Sequence, residues 1–188
     1  LEDGSVYEGT ARGDFKETAC EIVFNTSMTG YVEILTDPSY AGQGVVMTYP
    51  MIGNYGISRE DFESERLQPS AFIVHELSSH PSNFRCTDTI ENLLKEYNIP
   101  CISGVDTRAV VKKLRESGTM RGVLTSDIGD RERLMDVIKS FRQIDLVGSV
   151  TAKQTKVYGE ENTGAEIALM DFGTKRNIIN NLVKRNCI

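Results

Sequence analysis

Two residues in this chain sit where a side chain could meet a ligand. Ser39 ends the triplet Asp37-Pro38-Ser39, at a point where the backbone must turn. Its hydroxyl can both donate and accept a hydrogen bond. It is equally readable as a loop serine that completes the turn after Pro38. Lys175 lies just after Gly173 and opens a helical pattern. A cation in the first turn of a helix works against the helix dipole, so the position is not chosen for helix stability. A place near a thiolate or a substrate carboxylate would explain it, and so would a solvated surface.

Other candidate chemistry falls away on spacing. His75 and His80 approach a zinc-protease pattern but are five residues apart, which turns the second off the face of the first on a helix. Gly42-Gln-Gly44 lacks the rest of a dinucleotide fingerprint, and Asp171-Phe-Gly173 stands without the other kinase signatures. Cys20, Cys86, Cys101 and Cys187 form no Cys-x-x-Cys pair and follow no signal peptide, the usage of reduced thiols in a cytosolic protein. Cys101, within Ile99-Pro-Cys-Ile102, reads as core. Neither histidine nor any cysteine marks a metal site.

The elements that must position Ser39 and Lys175 differ along the chain. Residues 1–50 read as β-rich. Asp3-Gly4 is a turn signal. Val6 to Thr10, Glu21 to Phe24 and Gly44 to Tyr49 are strand candidates, the last closed by Pro50. Thr29-Gly30 is a turn, and Ile52 to Gly56 a glycine-rich loop. After residue 70 the pattern changes to βα units. Ala71 to Leu77 reads as one strand, followed by a helix capped by Thr87 or Asp88 and running to about Tyr97. Ile99 to Ile102 is the next strand. Asp106 caps a second helix that stops at Gly118. Arg121 to Thr125 is a strand, and a third helix runs from about Arg131 to Phe141. Residues 153–165 are polar, hold Gly159 and Gly164, lack periodicity and read as a linker. Glu166 to Gly173 reads as a buried strand, Lys175 to Asn186 as a helix with Ile178, Ile179, Leu182 and Val183 on its buried side, and Cys187-Ile188 as the start of another strand.

With 188 residues and 39% hydrophobic content, the chain can bury a core without disulfides or metal. A net charge of −6 argues against nucleic-acid binding, which usually needs a basic face. No apolar run reaches the roughly 20 residues of a membrane helix. The chain opens at Leu1 without a methionine, so its N-terminus reads as trimmed. The fold class is α/β, and one βα unit after residue 166 cannot close a core, so a second domain is expected to begin there and to be cut short.

Four segments, in this order and spacing, resemble the small subunit of glutamine-hydrolysing carbamoyl-phosphate synthase. They are Phe24 to Tyr31 with Leu35 to Tyr40, Thr48 to Gly56, Gly104 to Arg108 with Leu114 to Gly122, and Met170 to Ile178. The resemblance implies a three-layer β/β/α N-terminal domain over residues 1–152, a linker at 153–165, and the first βα unit of a truncated flavodoxin-like class I glutamine amidotransferase domain at 166–188. It implies a large-subunit partner. The small subunit would release ammonia from glutamine, and the large one would use ATP, with Mg, to make carbamoyl phosphate from bicarbonate. No cofactor is expected on this chain.

Ser39 matches the family's glutamine-contacting serine, and Lys175 a lysine at the first βα turn that supports the glutaminase site. The resemblance also implies a Cys-His-Glu triad with its cysteine on a Gly-x-Cys-x-Gly elbow, where backbone N–H groups stabilise the oxyanion. No cysteine here has that setting: Cys187 follows a helix and begins a strand, which is the wrong order. His75 and His80 lie outside the domain that supplies the base. The catalytic residues are therefore expected beyond Ile188. The implied setting is cytoplasmic biosynthesis of arginine or pyrimidines. The alternative is a non-catalytic module that docks the large subunit and shapes the glutamine pocket from outside.

Overall fold

The computed structural model describes residues 1–13, 15–143 and 145–188. In chain order the elements are β1 (Thr10–Arg12), β2 (Thr18–Asn25), α1 (Tyr31–Thr36), β3 (Gln43–Met47), β4 (Met51–Ile52), β5 (Ala71–Ile73), β6 (Glu76–Leu77), α2 (Ile90–Glu96), β7 (Cys101–Ser103), α3 (Thr107–Ser117), β8 (Met120–Leu124), α4 (Arg131–Ser140), α5 (Leu146–Val150) and α6 (Arg176–Lys184). The architecture is mixed α/β. A six-stranded sheet has the order β1-β7-β5-β3-β2-β8, and β4 pairs with β6 in a separate two-stranded sheet.

The four inner strands run parallel, with Val23 opposite Val45, Val45 opposite Phe72, and Phe72 opposite Cys101. Antiparallel β1 and β8 close the two edges. Parallel strands are buried on both faces, which is why Gly44-Val-Val-Met47 is continuously apolar. Val45, Met47, Phe72 and Cys101 join one core with Tyr31, Val32 and Leu35 of α1, Ile90, Leu93 and Leu94 of α2, and Ile52 of the small sheet. Cys20, Ile22, Val46, Ala71 and Ile73 join the other core with Val110 and Leu114 of α3. Helix α4 packs along β8 and β2, burying Leu134 and Ile138.

Several expected boundaries hold to within a residue or two. Asp106 caps α3 by accepting the Ala109 N–H at 2.9 Å, and Gly118 ends it at φ +82°. Thr89, rather than Thr87 or Asp88, caps α2. Other expectations are overturned. Val6 to Gly9 forms no strand, and pairing begins only at Thr10, where β7 lies alongside. Ala71 to Leu77 is not one strand. It breaks after Ile73 because β5 pairs with β3 and β7 while β6 leaves for β4. Asp3-Gly4 turns, with the Gly4 N–H on the Leu1 carbonyl at 2.9 Å, but joins no strands.

The largest correction lies at the C-terminal end. Glu166 to Gly173 is neither a strand nor buried: Met170 is 75% and Phe172 58% exposed. A strand exists only through its neighbours, and here they are single contacts: Ala152 donates to the Asp171 carbonyl at 3.1 Å, and Ile188 lies along the other end. Ile188 donates to the Ala165 carbonyl at 3.0 Å and accepts from the Ile167 N–H at 2.9 Å, the bond pattern of a parallel pair. Helix α6 forms, but Ile178 is 49% exposed and Ile179, Leu182 and Val183 are only partly covered. One helix on one extended segment has too little apolar surface to bury that face. No helix among the described residues is long and apolar enough to cross a membrane.

Glu17, just before β2, grips α4. Its carboxylate accepts from both terminal guanidinium nitrogens of Arg133, at 2.7 and 2.9 Å, and from the Thr125 hydroxyl at 2.7 Å. These bonds, Arg133 first, hold its pKa down to about 2 from an ordinary 4.5. The native pKa is the lower one, so the tie stabilises fully above pH 4.5 and is lost as pH falls toward 2. Arg133→Ala is expected to return the Glu17 titration toward 4.5, read by NMR. A titration that does not move would mean that the pair does not form in solution.

Candidate functional site

The loop carrying Ser39 is built from α1 outward. Gly30 precedes the helix at φ +81°, a left-handed conformation that glycine adopts without strain. The helix has no side-chain cap of its own. Its first N–H groups, those of Gly30 and Tyr31, donate instead to the hydroxyl oxygen of Tyr55 at 2.6 and 3.2 Å. Tyr31 returns the contact: its hydroxyl donates to the Gly56 carbonyl at 2.9 Å and accepts the Tyr55 N–H at 3.1 Å, and the two rings stack at 4.1 Å. Burial pushes both phenol pKa values up, so both stay protonated at neutral pH.

Thr36 ends α1 and is fully buried. Asp37, 5% exposed, follows it and caps a single 3₁₀ turn over Pro38–Tyr40. One Asp37 carboxylate oxygen accepts the Ser39 N–H at 2.9 Å. The other meets the Lys175 ammonium at 2.7 Å. The Ser39 side chain is left facing solvent, and the Tyr40 hydroxyl accepts from Asn25 at 2.8 Å, fixing the far end of the turn to β2.

Lys175 reaches Asp37 from a second turn. Asp171 accepts the N–H groups of Gly173 and Thr174 at 2.9 and 2.7 Å. Burial opposes ionisation of Asp171, but the bonds from Thr174 and Gly173 outweigh it and hold its carboxyl below the ordinary range. Gly173 has φ +107°, and a Cβ there would lie 2.7 Å from Val150 and 3.1 Å from Pro38, so only glycine lets the two turns touch. The hydrogen bond to Asp37 holds the Lys175 ammonium above its usual range, against desolvation. Ser39 and Lys175, 136 residues apart in sequence, are thus tied to the two oxygens of one carboxylate.

Asp37 was not singled out as a site residue from the sequence. Its signal was present in the Asp-Pro-Ser triplet, where an Asp side chain closes onto the N–H two residues on. Tyr55, which caps the start of α1, carried no local signal. The remaining candidates stay apart from this junction. His75 Nδ1 lies 3.1 Å from the Val105 carbonyl and His80 Nδ1 2.8 Å from the Ser79 hydroxyl. Among the described residues, no group of three or more His, Cys, Asp or Glu could hold a metal. Cys20 and Cys101 are buried, and burial raises both thiols to about 12, so neither is a nucleophile at neutral pH. A polar cavity of about 240 Å³ beside Glu33, Asp61 and Arg85, and an apolar one of about 180 Å³ between the sheet and α4, are lined by other residues than Ser39 and Lys175.

The fold and this junction define a mixed α/β protein in which an acid-anchored hydroxyl loop meets the turn before α6. The model of the family described as carbamoyl-phosphate synthase small chain, CPSase domain, matches residues 1–124. The chain is 48% identical over 188 residues to the carbamoyl phosphate synthase small chain of Clostridium perfringens, covering all of this chain and 53% of that one. The small chain of Listeria innocua is 44% identical, with 100% and 51% covered, and that of Archaeoglobus fulgidus is 47% identical, with 98% and 52% covered. The chain belongs to the carbamoyl-phosphate synthase small chain family. It spans about half the length of the curated relatives it matches.

Proposed function

We propose that this chain is the N-terminal part of the small chain of a glutamine-dependent carbamoyl-phosphate synthase, with residues 1–152 as a three-layer β/β/α domain, 153–165 as a linker and 166–188 as the start of a flavodoxin-like amidotransferase domain. The observation that carries the reading is the Asp37 carboxylate, which holds the Ser39 turn on one oxygen and Lys175 on the other. That tie spans the two proposed domains where a glutamine pocket would need both.

In this reading the Ser39 hydroxyl binds glutamine, donating to or accepting from its polar groups. Lys175, kept cationic by Asp37, supplies positive charge near the substrate carboxylate or the attacking thiolate. In the same reading a cysteine, a histidine and a glutamate outside residues 1–188 cleave glutamine. Ammonia then passes to a large subunit, which uses ATP with Mg, and bicarbonate, to form carbamoyl phosphate. The product feeds arginine or pyrimidine synthesis in the cytoplasm.

The test uses the chain extended to the relatives' full length and assembled with a large subunit. Ser39→Ala is expected to raise the KM for glutamine by about tenfold or more, the usual effect of losing one hydrogen bond to a polar or charged group. Synthesis from added ammonia bypasses the pocket and is expected to hold. Equal loss of both activities would make Ser39 a structural residue and remove its role in binding.

A further inference from the structure

We infer that Glu63 is a positioning residue of the glutamine pocket, one that holds the turn bearing Lys175 in register with the Ser39 loop; this rests on the function proposed above. Helix α6 begins without help from its own sequence. Its cap position is Lys175, whose side chain has no acceptor, and the helix has no side-chain cap bond of its own. The first N–H groups of a helix have no partner within it. Here they find Glu63. Its backbone carbonyl accepts the Arg176 N–H at 2.8 Å, and its carboxylate accepts the Asn177 N–H at 2.9 Å. A carboxylate at this end also suits the helix dipole.

Glu63 is itself held by the residue next to Asp37. Its N–H donates to the buried Thr36 hydroxyl at 2.9 Å, and Ser64 donates its hydroxyl to the Thr36 carbonyl at 2.5 Å. Thr36 Oγ1 in turn donates to the Val32 carbonyl at 2.8 Å, within α1. Two consecutive residues at the end of α1 therefore govern three consecutive residues of the far turn. Asp37 takes Lys175 directly, and Thr36 takes Arg176 and Asn177 through Glu63. Asp37 holds only the far end of the Lys175 side chain. One anchor at the ammonium and one on the backbone just after Lys175 together fix where that ammonium sits relative to Ser39. The charge of Glu63 also adds, after that of Asp37, to what keeps Lys175 protonated.

The experiment uses the enzyme extended to the relatives' full length, with its large subunit. Glu63→Ala and Glu63→Asp both lose the bond to Asn177, the second because its side chain is one methylene shorter. Both are expected to raise the KM for glutamine by about tenfold, the scale set by losing a helix cap, with ammonia-driven synthesis as the control. Glu63→Gln keeps an oxygen acceptor and is expected to restore the KM. Amide exchange at Asn177 is read in the same proteins and is expected to speed up by about tenfold in the Ala and Asp variants and not in the Gln variant. Faster exchange with an unchanged KM would make Glu63 a helix cap only and overturn the inference while leaving the proposed function standing. Unchanged exchange would overturn it as well. An unsubstituted enzyme that makes no use of glutamine would sink both readings together.

Discussion

Tyr31→Ala is expected to lower the unfolding free energy by about 3–5 kcal/mol, the range for emptying a large aromatic site in a packed core. Tyr31 is 1% exposed and belongs to the core between the sheet and α1. It also carries two polar contacts, to the Gly56 carbonyl and from the Tyr55 N–H, and stacks on the Tyr55 ring. Tyr31→Phe separates the two contributions. It keeps most of the packing but leaves a buried carbonyl without its partner, and is expected to cost about 1–3 kcal/mol. Denaturant unfolding of both variants reads the difference. If Tyr31→Ala left the unfolding midpoint in place, the stacked pair would not brace α1. Because α1 leads straight into Asp37-Pro38-Ser39, the same variant is expected to loosen the Ser39 turn.

Asp37→Ala is the second large effect. It removes a turn cap, worth about 0.5–2 kcal/mol, and an ion pair. The lysine end of that pair is 46% exposed, so solvent screening leaves the pair itself little weight. We expect a total loss of about 1–2 kcal/mol. Asp37→Asn isolates the charge, since its amide oxygen can still accept the Ser39 N–H. In the native chain Lys175 has its pKa raised above 10.5 by the hydrogen bond to Asp37. A raised lysine pKa stabilises fully below pH 10.5 and loses that contribution as pH climbs through the native value. Asp37→Asn is therefore expected to bring the Lys175 titration down toward 10.5 and to flatten the alkaline loss of stability. NMR of the lysine side chain checks the first point, and denaturation at neutral and alkaline pH the second. A Lys175 titration that stays raised in Asp37→Asn would mean that another group holds it.

Much of the α/β framework was legible because its signals are local. Asp106 and Gly118 delimit α3 through cap chemistry that involves only neighbouring residues. The strand read from Gly44 to Tyr49 is β3, which ends two residues sooner at Met47, and it was legible because a strand covered on both faces needs apolar side chains on both. Helix α1 was missed. Six residues are too short for a helical period, and its first turn is capped by Tyr55, 25 residues from Gly30. Helix α5, with only five residues, escaped for the same want of period. The strand expected over Glu166 to Gly173 failed in the opposite sense. Its composition suits a buried strand, but burial is supplied by neighbours that its own residues cannot provide.

The candidate site divides in the same way. The sequence by itself determined that Asp37-Pro38-Ser39 turns and presents a hydroxyl, since proline fixes one dihedral and the Asp side chain closes on the next N–H but one. It also marked Lys175 as a cation at a helix start, where helix electrostatics do not favour it. Only the tertiary structure decided that one carboxylate joins the two and that Glu63 caps the helix that Lys175 opens. Those contacts cross more than a hundred residues, and side-chain bonds at such separation follow from where the strands and helices pack, which no local pattern encodes.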